Sequence, residues 1–299
     1  MPPPGNASAN DSGAAPPSKA VIFTADDFGF SPEANAGVLD SHRRGVLTAA
    51  SLMVTGAARD AAAAAARENP SLDVGLHLVV CRGVAALAPE RLAGIVDAAG
   101  NFITNPVRGG FRYFFNRRIR TALRDELRAQ IEFHLTLVGT LKHIDGHLNF
   151  HVHPVIADIL IELAAEYHVP CIRIPREPVF TTLALARDHA ARKLVEAVIF
   201  RALSRRARRL MAAHGIRGTD WLFGLHQSGH VTEDYVLGVI RRLSPGLTEI
   251  YFHPALDIGG SPPSAEAQRE VQILTSPAIR DALRQTGARL TNFAELSSG

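Results

Sequence analysis

Cysteine is scarce in this chain: Cys81 and Cys171 are the only two among 299 residues. They cannot make a disulfide framework, neither belongs to a Cys-x-x-Cys pair, and a reducing compartment is expected. Long apolar runs are missing as well. Nothing approaches the roughly eighteen consecutive apolar residues that a spanning helix needs. Aromatic residues make up 6% and the formal net charge is only +3, with no nucleic-acid-binding motif, so a nucleic-acid partner is not expected. No Gly-x-Ser-x-Gly elbow or comparable cysteine signature occurs, which leaves a covalent acyl-enzyme route without support. There is no internal repeat. Residues 1–19 are rich in Pro, Ala, Gly, Asn and Ser and have no apolar segment, so they read as a disordered tail and not as a signal peptide. Residues 20–299 are then one domain of a cytoplasmic protein.

What the chain does have is histidine in one place. Four of its thirteen histidines, His143, His147, His151 and His153, fall between Lys142 and Pro154, interleaved with Asp145 and Asn149. A hydrophobic core has no use for such a cluster. Histidine is the commonest metal ligand and titrates near neutral pH, so the stretch is a site candidate.

Around it the pattern alternates between short β-branched runs and helical periods. Strands are expected at Ala20 to Thr24, Thr48 to Val54, Asp73 to Val80, up to His143–His147, Cys171 to Ile174, Trp221 to Leu225, Thr248 to Phe252 and Arg289 to Thr291. Helices follow between them: one opening at Pro32 behind Ser31 as N-cap, an Ala-rich one through Arg67, then Arg117 to Val138, Pro154 to Tyr167, Leu183 to Met211 as one long helix or a helix pair, Glu233 to Arg242 and Ala265 to Thr286. Seven or eight such β-then-α units predict an α/β fold with a parallel sheet closed into a (β/α) barrel, with an open doubly wound sheet as the rival. The barrel is preferred because Asp26, Asp27, His77, His147, Arg173 and His253 all sit at or just past the ends of candidate strands. In a barrel those ends converge on one face.

One carboxylate and two imidazoles form a common ligand set for a catalytic divalent metal. Asp27, His77 and His147 supply it. Asp26 next door is placed to take a proton from water, and His253 to protonate a leaving group. Such an assembly hydrolyses an amide or ester directly. A glycosidase with paired carboxylates is the chemical rival, but it has no need of a histidine-rich metal site. Nitrogen-rich ligation favours zinc, with magnesium, manganese or cobalt as alternatives. Arg173 reads either as a partner for a catalytic carboxylate or the sugar, or as an ordinary ion pair with Glu177.

The blocks Thr24-Ala-Asp-Asp-Phe-Gly, Gly75-Leu-His-Leu, His143-Ile-Asp-Gly-His and Tyr251-Phe-His-Pro-Ala, taken in order, resemble the signature of the YdjC-like carbohydrate deacetylases. That resemblance implies a barrel of the glycoside hydrolase/deacetylase type that removes acetyl groups from N-acetylglucosamine-containing substrates. It implies Asp27, His77 and His147 as metal ligands, Asp26 as general base and His253 as catalytic acid. Related polysaccharide deacetylases use a His-x-x-x-His pair, which His147 and His151 also fit. His77 is preferred, and His151, like Asn149 and Arg173, is assigned to substrate contact or support of the ligands.

Within the family the chain is most similar to the hopanoid-biosynthesis-associated deacetylases, through Arg108-Gly-Gly-Phe-Arg-Tyr-Phe-Phe and Ile172-Arg-Ile-Pro-Arg-Glu-Pro. This implies an N-acetylglucosaminyl hopanoid substrate. A soluble chitooligosaccharide is the competing substrate, and a non-catalytic carbohydrate-binding barrel the reading of a different class. Two stretches favour a lipid. Phe111, Tyr113, Phe114 and Phe115 cluster among arginines, and Leu194, Val198, Ala202, Leu203 and Leu210 form a helical stripe beside Arg201, Arg205, Arg206, Arg208 and Arg209. An apolar face with a basic flank suits peripheral contact with the inner membrane surface, and a barrel-packed helix with a solvated basic face is the alternative.

Overall fold

The computed structural model describes residues 19–296, so all but the last residue of the expected N-terminal tail lies outside the described residues. Among the described residues there are eight strands: β1 (Lys19–Phe28), β2 (Ala49–Leu52), β3 (Asp73–Leu78), β4 (His143–Gly146), β5 (Cys171–Ile172), β6 (Trp221–Phe223), β7 (Gly246–Phe252) and β8 (Arg289–Leu290). The helices are α1 (Pro32–Arg44), α2 (Arg59–Glu68), α3 (Pro106–Phe115), α4 (Arg120–Val138), α5 (Pro154–Glu166), α6 (Val179–Leu185), α7 (Ala190–Ala213), α8 (Glu233–Arg241), α9 (Ala265–Thr275), α10 (Pro277–Thr286) and α11 (Phe293–Leu296). No helix among the described residues is long and apolar enough to cross a membrane.

Every pairing between named strands is parallel, in the order β5-β4-β3-β2-β1-β7-β6, and β8 pairs with the start of β1. The sheet curls until its two edges meet. Ile172 N–H donates to the Arg217 carbonyl (3.0 Å) and Leu222 N–H to that of Arg176 (3.1 Å), bridging β5 to the β6 region. The expected parallel α/β barrel is therefore what the chain forms, with seven strands around a curled sheet.

Strand alternation sorts the side chains between two cores. Val21, Phe23 and Ala25 pack outwards into the large sheet–helix core, whereas Ile22 joins a small interior cluster with Ala49, Cys171 and Phe293. Phe293 plugs the bottom of the barrel, stacked on the His143 ring at 3.9 Å. Above that plug the interior turns polar towards the C-terminal ends of the strands.

Helix starts follow the local chemistry. Ser31 accepts from Ala34 N–H at 3.2 Å with Pro32 in the first turn, as a capped start requires. Two segments depart from the sequence-based expectation. The Gly- and Arg-rich connection after β3 contains a true helix, α3, capped by Asn105. Of the single helix or helix pair expected from Leu183, the pair is what forms, α6 and α7, separated where His189 adopts φ 49°. The helix expected from Ala265 breaks at Pro277, which cannot donate to the preceding turn, and Ser276 caps the new start.

A buried polar row on α4 ties down the chain leaving β3. Glu126 accepts from Ala86 N–H (2.8 Å) and Leu87 N–H (3.0 Å), and Gln130 pairs with both backbone groups of Val79. His134 continues this row, its Nε2 against the Thr140 carbonyl at 3.0 Å. Burial pushes the His134 imidazolium down to about 4. Between pH 6.5 and 4 the unfolded chain therefore binds a proton that the native state refuses, so stability falls as the pH drops through that window and levels off below it. Comparing urea midpoints at pH 7 and 4.5, wild type should lose about 2 kcal/mol more than His134→Gln. Equal losses would exclude His134 as the source.

Candidate active site

The site lies at the mouth, where β1 delivers two successive acids. A β-bulge makes this workable. The β1–β2 register runs Thr24 to Ala49 and Ala25 to Ala50, then slips so that Phe28 meets Leu52. The extra residue falls at Asp26–Asp27, and Asp27 takes φ 60°. A plain strand would send the two carboxylates to opposite faces, whereas the bulge turns both to the mouth. The left-handed conformation costs about 1 kcal/mol, least for Asp and Asn among the non-glycine residues. Leu148 and Asn149, just past β4, are left-handed too. Strained backbone thus gathers around the site.

Asp27 Oδ1 faces His77 Nε2 at 3.3 Å and His147 Nδ1 at 3.1 Å. Donor atoms of these three residues all lie within 4.8 Å of one another. The sequence-predicted trio is therefore brought together from β1, β3 and the end of β4. His77 is oriented from behind, its Nδ1 bonded to Asp145 Oδ1 at 2.7 Å, which leaves Nε2 buried without a hydrogen-bond partner. An imidazole nitrogen with no hydrogen-bond partner, aimed at a carboxylate and a second imidazole, fits a group that could hold a metal ion.

Electrostatics agree. Burial works against the His77 imidazolium, yet the charges of Asp145 and Asp26 outweigh it, and the group is pushed up to about 10. A field that favours a proton at Nε2 equally favours a cation there. Burial also opposes the Asp27 carboxylate, but the hydrogen bond from His147 and the neighbouring His77 imidazole hold it well below the usual carboxylate range.

Behind this trio lies an ionic cluster. Arg173 grips both oxygens of Asp26 (2.7 and 2.8 Å) and also reaches Asp145 Oδ2 and Glu249 Oε1, each at 2.7 Å. Its guanidinium lies over the Tyr251 ring at 4.7 Å. Arg173 is buried and fully engaged, so it has no free edge for a sugar. Its expected alternative partner, Glu177, instead accepts from Thr182 Oγ1 and His226 N–H. Asp26, His77 and Asp145 also form a compact donor group, but the Arg173 cation already occupies that side.

His151 belongs to neither donor group. It is buried with Nε2 against the Arg173 carbonyl at 3.1 Å, and burial lowers its imidazolium to about 4. It lies behind the site as a neutral support for the β5 backbone. Asn149 shares a hydrogen bond with the Tyr251 hydroxyl. His253 closes the other side of the mouth, with its backbone N–H donated to the buried Glu270 carboxylate. Asp26, Asp27, Phe30, Glu33 and His253 line a cavity of about 350 Å³.

Asp145, Glu249, Ser51 and Tyr251 were not singled out from the sequence. Ser51 donates to Asp145 Oδ2 at 2.7 Å. Glu249 and Tyr251 on β7 and His253 just past its end are spaced by two, so they share the interior face. A carboxylate inside the apolar run Thr248 to Phe252 was the available signal. Gly75 completes the interior: a Cβ there would run into the His143 backbone carbonyl oxygen and lie 2.5 Å from its ring. Gly75→Ala should cost about 1–3 kcal/mol by overpacking in a urea melt, and an unchanged midpoint would show that β4 itself can shift to make room.

A parallel α/β barrel with a carboxylate–imidazole donor set at its mouth defines a hydrolase-type site of the deacetylase-barrel class. The chain belongs to the YdjC-like protein family, whose pattern it matches over residues 20–285. It is 29% identical over 280 residues to a carbohydrate deacetylase of Brevibacillus brevis, covering 92% of this chain and 99% of the relative. It is 30% identical to a carbohydrate deacetylase of Geobacillus stearothermophilus, covering 92% and 96%. Among solved structures, an Enterococcus faecalis protein described as a cellobiose-phosphate cleavage protein superposes with a TM-score of 0.75 at 25% identity, covering 93% of this chain and 99% of that one.

Proposed function

We propose that this chain is a metal-dependent carbohydrate N-deacetylase, hydrolysing the acetamide of an N-acetylglucosamine moiety. The observation that carries the reading is the convergence of Asp27, His77 and His147 beside a carboxylate, Asp26, fixed by two hydrogen bonds from Arg173. The deacetylase relatives support the reaction class. Asp27, His77 and His147 would hold one divalent cation; the two nitrogens favour zinc, with magnesium, manganese or cobalt as alternatives. Such a cation, when bound, polarises the acyl oxygen and acidifies water.

The residues of the chain do the rest. Asp26 takes the proton of the attacking water, and Arg173 keeps its carboxylate in one orientation. Asp145 holds His77 by Nδ1 so that Nε2 stays directed at the site. His253, across the mouth, donates a proton to the departing nitrogen as the C–N bond breaks, giving acetate and the free amine. The 350 Å³ cavity beside these groups suits a single sugar unit, with Phe30 exposed at its rim.

Within this class the substrate is read as lipid-linked, an N-acetylglucosaminyl hopanoid converted to its glucosaminyl form at the cytoplasmic face of the inner membrane. Exposed aromatic side chains on α3 favour that over a soluble chitooligosaccharide, which needs no apolar surface beyond a stacking platform. A non-catalytic carbohydrate-binding barrel would not need both Asp26 and His253 at the mouth. Acetate release should be measured on the glycolipid in detergent and on chitobiose, with Asp26→Ala as blank. Release from the lipid alone is expected. Release from chitobiose alone overturns the lipid assignment, and release from neither overturns the deacetylase.

A further inference from the structure

α7 carries a second apolar face, on the side away from the barrel. Towards the barrel it buries Lys193, Ser204, Ala207 and Met211, with Phe200, Leu203 and Leu210 partly buried against the core. In its first half aliphatic residues lie outside: Leu194, Val195, Val198 and Ile199 are exposed, Val198 at 71%. Spaced over two turns on one stripe, they depart from the usual one-sided amphipathic arrangement. Continuing along the outward face come Arg201, Arg205 and Arg209, all exposed. Because α7 carries the chain from the C-terminal end of β5 back to the start of β6, its apolar half lies at the mouth of the barrel.

A second helix at the mouth repeats the arrangement. On α3, Val107, Phe111 and Phe115 are 62–72% exposed. With Phe114 and His153 they line an open, almost wholly apolar groove of about 370 Å³. His153 ends the turn that begins at His147, so the groove adjoins the candidate site. Arg108, Arg112, Arg117 and Arg118 surround it, all exposed. Both α3 and α7 pack against α5.

Residues 101–124 and 197–219 together hold twelve of the 32 Lys and Arg residues of the chain and none of its 29 Asp and Glu residues. We infer that the outward faces of α3 and α7 form a docking surface for an anionic lipid bilayer, with the aliphatic and aromatic side chains entering the acyl boundary and the arginines at headgroup level. Charge decides between a bilayer and a second copy of this chain. A two-fold contact through α7 would set Arg201 and Arg205 near their own equivalents, whereas an anionic surface complements them. Each Arg near such a surface is worth roughly fivefold in partitioning, and apolar insertion adds to it. The inference deepens the deacetylase reading, since docking at the mouth would deliver a membrane-held substrate, but it is tested without turnover.

The full chain should be sedimented with vesicles of phosphatidylglycerol and, separately, of phosphatidylcholine. Binding to the former alone is expected, weakening at least tenfold in high salt. Val195→Asp/Val198→Asp and Phe111→Ser/Phe115→Ser should each reduce it at least tenfold without lowering the thermal midpoint, because the replaced side chains face solvent. No binding to phosphatidylglycerol, or binding indifferent to both variants, overturns the inference. So does a dimer in light scattering that Val195→Asp/Val198→Asp dissociates, which would show that a second copy covers α7. Vesicle binding without acetate release would reject the deacetylase and keep the docking surface.

Discussion

Asp26→Asn is expected to slow acetate release by about 10²–10⁴-fold, the range for losing a positioned general base, while bound metal stays at the wild-type level. The substitution keeps shape and volume, so the fold should hold, although one of the two hydrogen bonds from Arg173 Nη1 and Nη2 meets an amide instead of a carboxylate oxygen. Metal retention makes the test specific. Asp26 also belongs to the buried donor group with His77 and Asp145. If a cation sat there, Asp26→Asn would lower metal affinity, and Asp27→Asn would not. The opposite pattern is expected, because Arg173 fills the space between Asp26 and Asp145 while His77 Nε2 is directed at Asp27. Metal content by atomic spectroscopy on both variants, beside initial rates, separates the two. A fully active Asp26→Asn protein would contradict the base assignment.

The parts of this site legible in the sequence are those at strand ends. Asp26, Asp27, His77, His147 and His253 interrupt or follow apolar runs, and a parallel barrel brings such positions to one face whatever the details of its helices. What pattern reading misses lies one layer deeper. Glu249 sits inside an apolar strand, and Asp145 stands in the His-rich stretch without a role of its own, until Arg173 is seen to reach both. The bulge at Asp26–Asp27 has no sequence signal, since it arises from the register with β2. The same limit applies to α3 and α7. Periodicity shows that α7 has an apolar stripe, but only tertiary packing decides whether the stripe faces the barrel or the solvent, and here it splits: Leu194 and Val198 face out while Leu203 and Leu210 pack against the core.

Replacing Arg173 should have the largest effect on stability. Its guanidinium is the cation that faces Asp26, Asp145 and Glu249 together, and all four side chains are buried. Burial opposes the charge on Arg173, but the three carboxylates outweigh it and hold the group well above its ordinary range. For Glu249 the balance tips the other way: burial raises it despite Arg173. Arg173→Met preserves much of the apolar stem and removes the charge, leaving three buried carboxylates with only His77 beside Asp145 as a counter-ion. Breaking a buried pair in this way costs about 3–5 kcal/mol. Arg173→Lys should recover only part of that, because an ammonium cannot present two parallel donors to Asp26 and still reach Glu249. Adding Glu249→Gln to Arg173→Met removes one of the stranded charges and should restore about 1–2 kcal/mol in a urea titration, since neighbours in one network are not additive. If Arg173→Met melts like wild type, the cluster is not what holds the strand ends together, and the fixed orientation of Asp26 must come from elsewhere.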